Sequence, residues 1–300
     1  MPGDTDISWA DRTWNPTVGC TKPTLPGGRV SEGCRHCYAA ELHGKRHRAY
    51  QNGDLQNVPQ YAHPFHQLQL LPQRLDIPLR WTKPQRIFVN SVSDLLHEDV
   101  PDAFLDQAFA VMLMAADLRG HAFQVLTKRP QRLQAYLTGP QRRDRIADAM
   151  SALTWRGAAQ AGEALRARTG DLTHPGLWLG TSTEHQDAAR ARIPALLDTP
   201  ASVRFLSCEP LLGEVDLLPW LGAPDGPAGL HWVIAGGESG RHARPMHPDW
   251  ARLLRDRCAA AGVPFHFKQW GVFDAAGARA PGGRSWPHRT LDGREHDAFP

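Results

Sequence analysis

Three hundred residues can bury a sizeable core and suit either one large barrel-like domain or two ordinary ones. No run of about 18 apolar residues occurs, and the opening MPGDTDISWADRTW lacks a basic stretch followed by an apolar one, which argues against a membrane span and a signal peptide and points to the cytoplasm. Five cysteines, an odd number, argue against a disulfide framework, and a formal net charge of +3 permits nucleic-acid binding without requiring it.

In chain order, the segment from Thr13 to Gly19 is a short possible strand, followed by a glycine- and proline-rich loop, residues 15–39, that holds Cys20, Cys34 and Cys37. A helix is predicted from Tyr38 to Arg48. Residues 51–81 are rich in Pro, Gln and His. Six apolar, β-prone runs then appear: Arg86 to Asp94, His121 to Pro130, Leu177 to His185, Val203 to Pro210, His231 to Gly240 and Pro264 to Gly271. Between the first two, Phe104, Leu105, Phe109, Met112 and Leu113 recur at spacings of three and four, predicting a helix within Pro101–Gly120. Residues 142–176 read as a mostly helical insertion rich in Ala and Arg. Short apolar strands alternating with helices predict an α/β fold with parallel strands, a complete or partial (β/α) TIM-like barrel forming one domain over residues 1–300; a doubly wound open sheet is the alternative.

Each apolar run ends in groups able to bind or react: Ser91, Ser93 and Asp94; Thr127, Lys128 and Arg129; Ser182 and Glu184; Cys208 and Glu209; Glu238; Lys268. In a βα barrel the C-terminal strand ends converge on the active site, so these residues are the candidate pocket. Lys128 and Arg129 suit a carboxylate or phosphate, or form a solvated basic turn. With Lys45, Arg46 and Arg48 they outline a basic rim whose natural partner is a phosphodiester backbone. Trp9, Trp14, Trp81 and Trp270 offer stacking faces for bases or are core. Glu209 and Lys268 are placed to exchange protons or to pair with each other, and Cys208 to donate a hydrogen atom or to pack as a small hydrophobe; Cys258 reads as inert. Tyr38 either faces a bound adenine or packs on the rim. The Gly-Gly-Glu-Ser-Gly run at Gly236–Gly240 permits close approach of a ligand, with Glu238 as its carboxylate, or is a plain turn.

The spacing Cys-x13-Cys-x2-Cys supplies three thiolates, one fewer than a closed tetrahedral site. A cubane iron–sulfur cluster on three cysteines leaves one iron open to chemistry. Zinc completed by His36, His43 or His47, and three unliganded thiols, are the alternatives on spacing alone.

The segments NPTVGC and GCRHCYA resemble the cluster loop of radical S-adenosylmethionine enzymes, most closely the spore photoproduct lyase group. The whole chain from about Trp9 to Gly271 resembles a phage-associated family of radical-SAM-like proteins with a three-cysteine motif, through TWNPTVGC, GCRHCYA, VNSVSDLLHEDVP, FQVLTKRP, WLGTSTE, RFLSCEPLLG, GGESG and FKQWG. The resemblance implies a barrel, a [4Fe-4S] cluster on Cys20, Cys34 and Cys37, and S-adenosyl-L-methionine on the open iron. In this chain thirteen residues separate the first two cysteines, far more than in the usual radical-SAM loop. Its Gly-Gly-Glu run follows a late strand, so Ser91, Ser93 and Asp94 take the second-strand position expected to hold the cofactor's amino-acid end. The function these features imply is a radical enzyme acting on nucleic acid, DNA rather than RNA, in repair or base modification. The alternative is a non-catalytic metal-containing barrel that binds nucleic acid or a protein partner.

Overall fold

The computed structural model describes residues 5–222, 229–283 and 285–300. Its centre is one seven-stranded sheet: β1 (Arg12–Trp14), β2 (Arg86–Val89), β3 (Ala122–Thr127), β4 (Leu177–Ser182), β5 (Val203–Cys208), β6 (Trp232–Gly236) and β7 (Phe265–Gln269). All pairings are parallel and the spatial order follows the chain order. The principal helices are α1 (Tyr38–Gln51), α2 (Asp102–Arg119), α3 (Pro130–Leu137), α4 (Arg142–Ser151), α5 (Ala158–Ala167), α6 (Gln186–Leu197) and α7 (Pro248–Ala260). Each predicted run holds one strand, and its polar end lies past or at the strand's C-terminus.

Alternation along the strands divides two cores. Ile87, Val89, Phe123, Val125, Leu206, Val233 and Phe267 belong to the large apolar layer beneath the helices. Phe88, Phe205, Trp232 and Ile234 point the other way, into a second cluster with Trp9. Trp9 lies 4.5 Å from Phe88 of β2 and 6.4 Å from Trp232 of β6 between ring centroids, so the inner face closes on itself. The edges β1 and β7 are not paired, yet Ser8 Oγ, just before β1, lies 2.9 Å from His266 Nε2 of β7. The sheet is therefore curled into a half-barrel, and the open doubly wound alternative is set aside.

Helix α2 shows why the helical layer holds. Its residues from Phe104 to Ala116 are buried apart from Gln107, and Gly120 ends it at φ +69°, a left-handed conformation glycine adopts without cost. The predicted insertion contains α4 and α5, and Arg142 docks it on α2 through Asp102 and Asp106 at 2.8 and 2.7 Å. No helix among the described residues is long and apolar enough to cross a membrane.

Candidate functional site

A cavity of about 280 Å³ opens at the C-terminal ends of the strands and reaches down to Trp9 and Phe88 of the inner cluster. Cys20, Cys34 and Cys37 all line it, opposite Asn90, Ser91, Ser93 and Asp94 and beside Thr127, Lys128, Ser182, Glu209 and Lys268. The curl of the sheet thus brings together residues separated by more than two hundred positions.

The cysteine loop follows β1 and is placed by backbone geometry at its start. Gly19 has φ +91°, and a Cβ there would lie 2.4 Å from the Gln67 carbonyl oxygen, so glycine is required before Cys20. Cys20 N–H then donates to Phe65 O at 2.9 Å. Cys37 occupies the N-cap position of α1, with its carbonyl accepting from Glu41 N–H at 3.0 Å. Burial pushes the Cys20 thiol up to about 12, with Asp94 adding to the effect and Arg129 opposing it. Burial also raises the Cys34 thiol, against the pull of Lys128. Among the described residues no three His, Cys, Asp or Glu side chains form a ready-made metal-ligand group.

Two carboxylates expected to meet the cofactor instead brace this loop. Glu184 is 1% exposed; it pairs with Arg192 at 2.8 Å and accepts from Gly33 N–H at 3.1 Å and from the Ser31 hydroxyl. Burial would raise its carboxyl, but Lys128 and Arg192 prevail and hold it at about 2. Glu238 is gripped by Arg244 Nε and Nη2 at 2.8 and 2.7 Å. The same guanidinium reaches Glu32 in the loop, through Oε2 and the carbonyl, both at 2.9 Å. The glycines before Glu238 serve backbone packing: a Cβ on Gly237 would lie 1.8 Å from Trp270 O.

Asp94 is likewise committed. Its Oδ1 accepts from Thr127 Oγ1 at 2.7 Å and Leu96 N–H at 3.0 Å, and its Oδ2 from Lys128 N–H and Arg129 Nη1, both at 3.1 Å. Four hydrogen bonds leave it no capacity for an incoming ammonium. Arg129, expected to meet phosphate, is 5% exposed, lies between Asp94 and Glu98, and sends Nη1 to within 3.8 Å of Cys20 Sγ. Both residues line the cavity and together form a buried hub that fixes the β3 end against the cysteine loop.

The other predicted residues divide by face. Lys128 lines the cavity, and its ammonium has no ion pair among the described residues. Lys268 pairs with Glu209 at 3.1 Å, and Ser207 Oγ donates to Glu209 at 3.1 Å. Tyr38 is 48% exposed on the cavity wall and donates its hydroxyl to the Ser91 carbonyl. Ser91 Oγ donates to Asn15 Oδ1 at 3.2 Å and Ser93 Oγ to Thr17 O at 2.9 Å. Cys208 points the other way: alternation puts it in the apolar layer under the helices, fully buried, 3.4 Å from Thr183 Oγ1, with its thiol raised to about 12 by burial. It is a core residue, as is Cys258. Trp9, Trp14 and Trp270 are buried too, and Trp81 is partly buried against the same core. Lys45, Arg46 and Arg48 are exposed on α1, and Lys45 pairs with Glu41 at 2.9 Å.

Sequence reasoning missed Asn90, Ser31, Arg192 and Arg244. Asn90 takes φ +61° directly after β2, donates to Thr17 Oγ1 at 2.6 Å, and keeps at the cavity a buried Oδ1 that has no hydrogen-bond partner among the described residues. Asparagine's tolerance of that conformation was the available signal. The arginines carry no such mark: their carboxylate partners Glu184 and Glu238 are near in sequence but across a strand–helix turn, and Arg244 also reaches the distant Glu32.

These features define a parallel α/β half-barrel whose strand ends enclose a cavity walled by three thiols. A family model matches residues 4–300, and the chain belongs to that family, described as a protein of unknown function (DUF5131). No curated protein and no solved structure matches it significantly.

Proposed function

We propose that the protein is an iron–sulfur, S-adenosyl-L-methionine-dependent radical enzyme acting on nucleic acid, built on a partial TIM-like barrel. The observation that carries this reading is the meeting of Cys20, Cys34 and Cys37 on one cavity at the strand ends, beside Lys128. Three thiolates are one fewer than a closed tetrahedral zinc site takes and the number that leaves a cubane one open iron. Such a cluster, when bound, supplies an electron to the sulfonium of the cofactor.

The chain's own residues would do the rest. Glu184 and the Arg244–Glu238 pair hold the loop so that its thiols face inward. Lys128 offers a cation to a carboxylate or phosphate in the cavity, and the Asn90 Oδ1 acceptor awaits a donor. Trp9, Phe88 and Leu126 form an apolar floor that excludes water and accepts a planar ring. The Glu209–Lys268 pair is placed to hold or move a proton at the rim.

The test is anaerobic reconstitution with iron and sulfide, then incubation with S-adenosyl-L-methionine and a reductant. Iron near four per chain, absorbance near 400 nm and release of 5′-deoxyadenosine are expected. Changing any one of Cys20, Cys34 or Cys37 to Ala should abolish iron binding, whereas Cys258→Ala should retain it. Full iron in the three loop variants overturns the assignment. A brown protein that releases no 5′-deoxyadenosine favours the non-catalytic barrel.

A further inference from the structure

A second cavity, of about 180 Å³, lies behind the wall of the first. Ala39 lines both, and Val92 faces the second while its neighbours Ser91 and Ser93 face the first. Two guanidiniums line this cavity, those of Arg46 on α1 and Arg74 in the segment after α1, and no aspartate or glutamate does. Four other arginines in interior positions, Arg129, Arg142, Arg192 and Arg244, are matched by carboxylates, whereas Arg204 reaches only the Thr199 carbonyl but lines no cavity with a second guanidinium. Among the described residues Arg46 and Arg74 have no carboxylate partner: Arg74 reaches neutral acceptors, Gln60 Oε1 at 2.5 Å and Asn15 O at 3.4 Å, and Arg46 the Tyr61 hydroxyl at 2.5 Å, above whose ring it lies at 5.4 Å.

Removing a cation from water without a counter-charge is unfavourable, and burial lowers the Arg74 guanidinium from its usual range. Neutral acceptors offset that only in part. An anion between the two forks would complete both sites with charge-assisted hydrogen bonds, and planar guanidinium forks match the oxygens of phosphate. The volume equals roughly six waters at about 30 Å³ each, enough for a phosphate group but not for a nucleoside.

We propose that Arg46 and Arg74, with Gln60 and Tyr61, form an oxyanion site for a phosphate group next to the thiol-lined cavity. The site does not depend on the cluster, so its success or failure is separable from the radical reading. Free phosphate esters and the backbone of a nucleic-acid strand share this chemistry, and the position one residue layer from the main cavity suits a strand whose base enters the half-barrel.

Calorimetric titration of the full-length protein with inorganic phosphate is the test, repeated with Arg46→Gln and Arg74→Gln, with iron content and near-ultraviolet circular dichroism as controls. Binding in the millimolar range or tighter is expected, weakened at least tenfold by either change while iron content stays unaltered. Arg46 is exposed, so Arg46→Gln tests the site even if Arg74→Gln impairs folding. A single-stranded oligodeoxynucleotide identifies the source. If it displaces phosphate, and the logarithmic salt slope of its binding falls by about 0.7 in Arg46→Gln, the strand backbone is the ligand. If phosphate binds and the oligonucleotide does not compete, the site serves free phosphate or a small phosphate ester. Absence of phosphate binding, or equal binding by wild type and both variants, overturns the proposal.

Discussion

Asp94 illustrates how little a residue's type reveals of its task. Placed past a barrel strand, a carboxylate suits a ligand's ammonium, yet here it satisfies Thr127, Lys128 and Arg129 from the next strand end. Asp94→Ala leaves Thr127 and Lys128 N–H without their acceptor and Arg129 with Glu98 alone, so it should destabilise the fold by about 3 kcal/mol. Lys128→Gln, which removes a cation with no direct ion pair among the described residues but also its pull on Glu184, should cost less, about 1 kcal/mol. Urea unfolding of the two variants separates these roles: equal losses would make Lys128 a structural residue, and a stable Asp94→Ala protein would dissolve the hub. The two neighbours Lys128 and Arg129 both line the cavity, yet only Arg129 is buried in ion pairs, with Asp94 and Glu98.

At the scale of elements, the cysteine loop is held by contacts with distant strand ends. Ser31 and Gly33 hang from Glu184 at the end of β4, and Glu32 hangs from Arg244 beyond β6. Loops open locally when such ties are cut, without unfolding the molecule. Glu184→Gln combined with Arg244→Ala should therefore raise tryptic cleavage after Arg29 and Arg35 severalfold while the far-ultraviolet circular dichroism stays that of the wild type. Mass spectrometry of a timed digest reads this directly, and unchanged cleavage would show that the loop is held by other contacts. The insertion is fastened by the same device, Arg142 reaching Asp102 and Asp106 on α2. Buried ion pairs of this kind dock segments that the sheet does not hold.

For the whole molecule, closure of the half-barrel joins its two edges through His266 and Ser8. His266 is completely buried, and burial, reinforced by Arg289, lowers its imidazole to about 4. The folded chain thus keeps this group neutral while the unfolded chain protonates it near 6.5. Its contribution is complete above that value and declines as the pH falls towards 4, because only the unfolded state gains the proton in that interval. Between pH 7.5 and pH 5 the loss attributable to His266 amounts to about 2 kcal/mol. Urea midpoints at the two pH values should differ accordingly, and His266→Gln should narrow the difference; an identical pH response would assign the acid sensitivity to other groups.

Periodicity in the chain by itself determined the alternating strands and helices, the parallel sheet, and the cysteine loop at its first strand end. Those features are local: a run such as RIFV or the apolar face of α2 specifies its own conformation and burial. The tertiary structure alone decided which strand-end groups face the cavity and which are spent elsewhere. Cys208 lies one residue from Ser207, yet β alternation in a curled sheet sends the first into the helical layer and the second to the cavity. Arg129, Glu184 and Glu238 face charges more than five residues away in sequence or on other segments, Arg192 and Arg244 among them, and a buried charge is spoken for once such a partner arrives. Curvature likewise decided that Trp9, before the first strand, and Trp232, on the sixth, share one inner core, since only a curling sheet brings strands from its opposite sides within reach of each other.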